Sequence, residues 1–203
     1  MHASSQTPLM RPDALAGQVV AVAGRAGGAG RATAAACGGL GARVEQLGEE
    51  GHRVDLLDEQ AVGAAIAAIA ALEARLDTVV IDSAGLFSVA VQDGLGPLRA
   101  AVDPAWVVAR AAATRVMIEG QDGGKLIVLA PRPGAGPHAQ ATRDALENFA
   151  RTLSIEWSRY AIRVTTVAPG AATGDAEVCA LATYLASPAG DYFSGCVFSL
   201  GGP

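Results

Sequence analysis

The stretch VVAVAGRAGGAG, residues 19–30, decides the fold of this chain. Its first five residues are apolar and predict a buried strand over 19–23. The glycines that follow, Gly24, Gly28 and Gly30, permit a tight turn whose backbone N–H groups approach a pyrophosphate at the start of a helix. We place that helix at about 29–40. Close packing of a helix on the strand would retain the same glycines, so the motif needs support from the rest of the chain.

Apolar runs alternate with helical stretches along the remaining sequence. Strands are predicted at 43–47, 52–56, 78–82, 126–130, 164–168 and 197–200, and helices at about 59–75, 104–120, 142–159 and 175–186. Asp103 suits the cap of the helix at 104–120, with Pro104 as its first residue. Continuous Val, Ile and Leu runs between helices indicate an α/β protein whose parallel sheet is covered on both faces.

The composition is that of a packed globular domain. Of 203 residues, 51% are apolar and 17% charged, and the net charge of -5 disfavours binding to nucleic acid or to an anionic membrane. We find no apolar run long enough to cross a bilayer and no secretory signal, and we expect a cytoplasmic protein. Cys37, Cys179 and Cys196 are expected to be reduced, buried thiols, and no Cys or His pair has the spacing of a metal site.

The helix predicted at 142–159 carries an apolar stripe at helical spacing. Packing on the sheet explains this stripe, and a second face against another subunit explains its extra width equally well. The stripe consists of Leu146, Phe149, Ala150, Leu153 and Trp157, and is widened by Ala145, Thr152 and Ile155.

Several further motifs follow the glycine turn in a fixed order. They are Val54-Asp55, Asp82-Ser83-Ala84-Gly85, residues 145–157, Val167-Ala168-Pro169-Gly170, Ser194-Gly195 and Gly201-Gly202. Over about 15–202, the chain therefore resembles the short-chain dehydrogenase/reductase family. The resemblance implies one Rossmann-like doubly wound domain over 15–203, shortened relative to the family and preceded by a polar N-terminal lead-in over 1–14. It also implies dimers or tetramers that transfer hydride between NAD(H) or NADP(H) and an alcohol or ketone.

The resemblance also assigns a set of cofactor-binding positions. These are Gly24, Arg25, Gly28, Gly30, Asp55, Ala84, Gly85, Pro169 and Gly170. Asp55 would lie near the adenine, and Arg25 would favour the 2′-phosphate of NADP. The residue that reads the adenosine ribose would fall near Gly48, and Asp82 places a carboxylate where the family usually has an amide. We therefore expect the chain to bind NAD(P) weakly or not at all, with these positions vestigial.

Four catalytic side chains of the family have no counterpart at the matching positions. A tyrosine acts as general acid and base, but its phenol, with a pKa of about 10, works near neutral pH only beside a cation, which the family supplies as a lysine four residues on. The tyrosine position falls on Ala139 and the lysine position on Arg143. The serine position falls on Ala130, and that of the asparagine near Ala101.

His138 is the one weak candidate for a substitute, because imidazole titrates in the right range and Arg143 follows five residues later. A loop histidine after Gly-Pro is the plainer interpretation.

Two family segments are also expected to be missing. Between Arg43 and Asp55 there is room for two strands and a hairpin-like turn at 47–51, but not for a helix. After Gly170 only a few residues precede the last helix, so no lid would exclude water from the pocket.

These features predict a catalytically impaired pseudo-oxidoreductase that joins a catalytically active relative in a hetero-oligomer. Its interface would be the helices 104–120 and 142–159, or the C-terminal region 175–203. One alternative is an NAD(P)H-dependent oxidoreductase with a rearranged site that uses His138, or a water with Arg143. Another is a non-redox enzyme or ligand sensor on the same scaffold.

Overall fold

The computed structural model describes residues 10–91, 93–120 and 122–201. Within these ranges, parallel strands form one sheet in the order β3-β2-β1-β4-β5-β6-β7. The strands are β1 (Val19–Gly24), β2 (Arg43–Gly48), β3 (His52–Arg53), β4 (Thr78–Ile81), β5 (Gly124–Leu129), β6 (Ile162–Pro169) and β7 (Val197–Leu200). The strand order reverses between β1 and β4, which confirms the doubly wound α/β fold predicted from the sequence.

Helices cover both faces of this sheet. They are α1 (Gly28–Gly39), α2 (Glu59–Glu73), α3 (Ser83–Val89), α4 (Gly96–Ala112), α5 (Ala139–Glu156) and α6 (Asp175–Ala186), and α4 continues into a π-helical turn, Ala113–Met117. Alternate residues of a strand face opposite sides, so Val20 and Val22 pack under α1 and α6. Val19 and Ala21 pack under α2, α4 and α5 on the other face.

The start of α4 differs from the prediction. The sequence places Pro104 at the first position of a helix, but α4 begins at Gly96, with Pro97 in its first turn and Pro104 inside it. A proline has no N–H to donate to the preceding turn. The helix nevertheless continues through Pro104, because this face of α4 is buried in the protein interior, with Ala101 and Ala105 fully covered. A proline in the sequence therefore does not by itself distinguish the start of a helix from its interior, because tertiary packing can stabilise a helix that continues through it.

Two other helices also differ from the sequence prediction. α5 begins at Ala139, three residues before the predicted start at Thr142. α3 was not predicted, although its start carries a recognisable signal, since the Asp82 side chain accepts a hydrogen bond from the N–H of Gly85.

The β2–β3 connection confirms one prediction and corrects another. No helix lies between the two strands, as expected, but they pair in parallel and do not form a hairpin. β3 spans only His52–Arg53, which is shorter than the predicted 52–56. The connection needs a glycine at position 51, because Gly51 has φ +65° and a Cβ there would lie 2.6 Å from the carbonyl oxygen of Gln46.

The three cysteines are free thiols in different environments. Cys37 is fully buried between α1 and α6, as predicted. Cys179 and Cys196 are only half-buried, so the prediction of three buried thiols is wrong for these two. Of the sequence features, residues 1–9 of the lead-in and Gly202 lie outside the described residues.

Candidate functional site

The candidate site lies at the carboxyl ends of the central strands, where β1 and β4 diverge. Such a switch point is where doubly wound sheets form their ligand crevice. The glycine turn follows β1, Asp82 follows β4, Ala130 follows β5 and Pro169 ends β6. A cavity of about 210 Å³ lies among them. The residues that line it are Gly28, Ala29, Asp82, Ala84, Gly85, Ser88, Ala130, Arg132, Pro169, Asp175 and Val178.

Asp82 lies beneath the glycine turn and contacts two helix starts. Its Oδ2 accepts a hydrogen bond from the N–H of Gly30 at 3.2 Å, and its Oδ1 accepts one from the N–H of Gly85 at 2.9 Å. The residue is 1% exposed. Burial raises the pKa of the Asp82 carboxyl, and the two N–H donors oppose that shift because they favour the ionised form. One carboxylate therefore caps α1 and α3 together.

The contact with Asp82 also explains three glycines. A Cβ added to Gly30 or Gly85 would lie 2.6 Å from Oδ2 of Asp82, and one added to Gly24 would lie 2.9 Å from its Cβ. Those distances are too short for any other residue. Gly28 is different, because a Cβ there meets nothing within 4 Å and its φ of +64° is the reason for the glycine.

On the outer side of the turn, Arg25 and Glu49 form an ion pair. Nε of Arg25 donates to Oε1 of Glu49 at 2.9 Å, and the N–H of Ala26 donates to Oε2 of Glu49 at 3.2 Å. The Arg25 guanidinium and the Ala26 N–H lower the pKa of the Glu49 carboxyl. Glu49 directly follows β2 at Gly48, the region where the sequence places the ribose reader. The contact of Glu49 with the glycine turn was not predicted, because the sequence explained Glu49 as part of the separate hairpin-like turn at 47–51.

Asp55 borders a second, more apolar cavity of about 320 Å³ on the same side of the sheet. Its Oδ1 accepts a hydrogen bond from the N–H of Leu57 at 2.9 Å, and its side chain is exposed. Leu56, Leu86 and Pro104 supply much of the apolar lining. The structure thus places Asp55 and the glycine turn along one crevice.

The positions predicted to match the family's asparagine and tyrosine meet in an apolar cluster. Ala101 is 0% exposed and Ala139 is 3% exposed, and both pack with Phe87, which is 0% exposed. Phe87 belongs to α3, so neither the helix nor the position of this side chain was predicted from the sequence. The signal was present, since Phe87 lies at helical spacing from Ser83 and Ala84 in the Asp82–Gly85 motif. Ala130, at the position predicted to match the serine, is 1% exposed.

Arg143, at the predicted lysine position, is bound to the backbone. Its Nη1 donates to the carbonyl oxygen of Pro131 at 2.6 Å and to that of Pro169 at 2.8 Å. These carbonyls follow β5 and end β6, so the guanidinium ties the two strand ends together. Partial burial lowers the pKa of Arg143.

Arg132 makes a second bridge across the crevice, and sequence reasoning did not identify it. Its Nε donates to the carbonyl oxygen of Thr173 at 2.8 Å, and its Nη2 pairs with Oδ1 of Asp175 at 2.6 Å. This bridge fixes the short connection from β6 to α6 against the end of β5. The connection runs directly from Gly170 to Gly174, with no helix between β6 and α6.

His138 lies at the edge of this region. It directly precedes α5 in a left-handed conformation with φ +64°, and its side chain is exposed. The structure therefore does not bring it into the buried cluster of Phe87, Ala101 and Ala139.

The faces predicted as interfaces carry exposed apolar side chains. Trp106 of α4 is 42% exposed and Ile155 of α5 is 75% exposed. The rest of the α5 stripe, namely Leu146, Phe149, Ala150, Leu153 and Trp157, packs against the core. In the C-terminal region, Tyr192 is 89% exposed, and β7 is the last strand of the sheet.

The described residues hold neither a candidate metal cluster nor a candidate membrane-spanning helix. No cluster of three or more His, Cys, Asp or Glu side chains there has a geometry that would hold a metal ion. No helix in the described part of the chain combines the length and the apolarity needed to cross a bilayer.

No family model matches the sequence, but curated relatives and solved structures do. Two proteins from two strains of Mycobacterium tuberculosis, each named an uncharacterized oxidoreductase, are 33% identical to the chain over 105 residues. The match covers 47% of this chain and only 39% of either relative, well under two thirds of their length.

The solved structures match over almost the whole chain. The citronellol catabolism dehydrogenase AtuB of Pseudomonas aeruginosa superposes with a TM-score of 0.77 at 26% identity, covering 95% of this chain and 96% of that protein. A variant of a Serratia marcescens short-chain dehydrogenase/reductase gives 0.73 at 26% identity, covering 94% and 97%. A hydroxysteroid dehydrogenase from Escherichia coli gives 0.74 at 16% identity, covering 93% and 97%, and that likeness concerns the fold alone.

Proposed function

We propose that the chain is a catalytically impaired member of the short-chain dehydrogenase/reductase family that serves as the non-catalytic subunit of a hetero-oligomer. Its partner is a catalytically active relative from the same family. The chain supports that partner's fold or completes its active-site wall, and it binds NAD(P) weakly or not at all.

The observation that carries this proposal is the apolar cluster of Phe87, Ala101 and Ala139. The family reaction moves a proton between a tyrosine and its relay in this region, which requires side chains that exchange protons. None of these three side chains exchanges a proton, and a phenylalanine ring fills space beside the position assigned to the tyrosine. The cluster therefore supports the loss of proton transfer.

The contacts of Arg143 support the same conclusion. A guanidinium does not give up its proton near neutral pH, so it cannot replace a base. Two backbone carbonyls already accept hydrogen bonds from it. In this arrangement Arg143 stabilises the ends of β5 and β6, which is a structural role.

The exposed apolar side chains on α4 and α5 support a partner. Trp106 and Ile155 keep 42% and 75% of their surface in water in the isolated chain. Aromatic residues are enriched at protein interfaces, where they lose water on binding. β7, which ends the sheet formed by the described residues, offers its edge as the second candidate region.

The proposal is tested with the purified chain, alone and mixed with short-chain dehydrogenase/reductases encoded near it. Alone, it should not oxidise NADH or NADPH with any of a panel of ketones and aldehydes. With its partner, it should form a complex that light scattering detects after size-exclusion chromatography, and it should change the partner's stability or activity.

Matched variants locate the interface. Ile155→Glu on α5 should weaken the complex, whereas Leu72→Glu on α2, a residue of similar exposure at 68%, should not. A monodisperse monomer with no affinity for any relative would contradict the proposal. So would carbonyl-dependent oxidation of NADH by the chain alone, and loss of that turnover in His138→Ala would identify the rearranged site.

A further inference from the structure

The glycine turn is an anion-binding element that already holds two anions of its own. Backbone N–H groups at a helix start, together with the helix dipole, attract negative charge. Here the N–H of Gly30 binds Asp82, and the N–H of Ala26 binds Glu49, each at 3.2 Å. We propose that the carboxylates of Glu49 and Asp82 are internal ligands of the turn and exclude nucleotide phosphates from it. This inference deepens the proposed function, because a subunit that performs no hydride transfer does not need a bound dinucleotide.

Asp82 excludes phosphates by its charge from below the turn. Both of its oxygens accept backbone N–H groups, so the ionised carboxylate is the form that satisfies both donors. At 1% exposure, little water screens that charge. A pyrophosphate bound over the turn would meet this carboxylate across a single layer of backbone. The like charges would repel each other more strongly than they do in water.

Glu49 acts from the outer side of the turn in two ways. It accepts the N–H of Ala26, which a phosphate oxygen would otherwise use. It also pairs with Arg25 at 2.9 Å, so the guanidinium of Arg25 is neutralised before any ligand arrives. A phosphate would have to displace Glu49 from both partners and leave it beside the new negative charge.

The glycine pattern itself does not require a nucleotide. Gly24, Gly30 and Gly85 are needed because Asp82 packs against each of them. Gly28 is needed because of its positive φ. The glycines of the turn are thus explained by contacts with Asp82 and, at Gly28, by the backbone conformation.

The test compares NADH with adenosine, which carries no phosphate, by isothermal titration of the purified chain. The variants are Glu49→Gln, Asp82→Asn and the two combined. Glu50→Gln is the matched control, because it removes the same charge one residue away, where Glu50 pairs with Arg31 at 3.4 Å. Circular dichroism confirms that each variant is folded.

We expect the unmodified chain to bind NADH weakly or undetectably. Glu49→Gln and Asp82→Asn should each raise the affinity for NADH by about tenfold, and the combination by more. Adenosine binding should change little, and Glu50→Gln should have a clearly smaller effect on NADH. If Asp82→Asn fails to fold, Glu49→Gln decides the question, since Glu49 is half-exposed.

Three results would overturn the proposal. The first is NADH binding by the unmodified chain as tight as that of the combined variant. The second is weaker NADH binding by Glu49→Gln, which would make Glu49 a ribose ligand. The third is an equal gain for adenosine or for Glu50→Gln. A chain that binds NADH, turns nothing over and still associates with its partner would refute this inference and the weak NAD(P) binding, and would leave the proposed role as a non-catalytic subunit intact.

Discussion

Whether a tyrosine side chain fits at position 139 is a direct measure of how completely the candidate site is filled. Ala139 is 3% exposed and packs with Phe87, which is fully buried. Ala139→Tyr therefore has to push the Phe87 ring aside, and overpacking of this kind destabilises a protein by about 1–3 kcal/mol. Phe87→Ala removes a buried ring and should lower the free energy of unfolding by about 3–5 kcal/mol.

The coupling energy between the two substitutions decides whether the side chains at positions 87 and 139 compete for one space. The new phenol ring would occupy the space that the Phe87 ring leaves, so the double variant should lose less stability than the sum of the single variants. For residues in contact, we expect a favourable coupling of about 1–3 kcal/mol. Urea unfolding followed by circular dichroism measures all four proteins of this cycle. Leu72→Ala, at a 68% exposed position on α2, is the control and should change the stability by less than about 0.5 kcal/mol.

An Ala139→Tyr variant as stable as the unmodified protein would refute the reasoning. It would mean that an open space for a tyrosine exists beside Phe87. Additive single effects would carry the same message, because they would show that the two side chains do not compete for one volume.

Further substitutions, the pH dependence of stability and a thiol reaction test other contacts. Arg143→Met should lower the free energy of unfolding by about 1–3 kcal/mol, because it leaves two backbone carbonyls without their donor, and urea unfolding measures this. Lys125→Met should lower the free energy of unfolding by about 1–3 kcal/mol, because Nζ of Lys125 donates to two backbone carbonyls at the end of α6 and pairs with Asp191. Asp191→Asn removes only the ion pair and should lower it by less than about 1 kcal/mol. Burial raises the pKa of Cys37 from 9.0 to about 11, so between these two pH values the thiol is ionised in the unfolded chain and still protonated in the folded one. The free energy of unfolding should therefore fall as the pH rises from 9.0 to about 11. Near pH 8, DTNB should label Cys196 rapidly and Cys37 only after unfolding, and fast labelling of all thiols in the folded protein would contradict the structure.

The predictions from sequence that were wrong or missing have physical causes. Pro104 looks like the first residue of a helix because proline suits that position, and nothing local reveals that the burial of α4 continues through it. α3 was missed because its signals, the cap at Asp82 and the helical spacing of Phe87, extend over only seven residues, too few to distinguish a helix from a loop. Since Phe87 lies on that helix, the side chain that fills the candidate site was missed with it.

In the candidate site, too, local features were predicted from the sequence and long-range contacts were not. Gly24, Gly28 and Gly30 were identified from sequence because turn chemistry is local. The hydrogen bond from Gly30 to Asp82 joins residues 52 positions apart, and the one from Ala26 to Glu49 joins residues 23 apart. Such pairs have no sequence spacing that announces them. They exist because parallel β1, β2 and β4 bring their carboxyl ends to one edge of the sheet.

The sequence by itself determined the alternation of strands and helices, the glycine turn and the residue types at the positions assigned to proton transfer, because each of these depends on neighbours along the chain. Only the tertiary structure decided that Phe87 packs with Ala101 and Ala139 in one buried cluster. It alone placed two carboxylates on the glycine turn, because side chains distant in sequence become partners only when the sheet has brought its strand ends together.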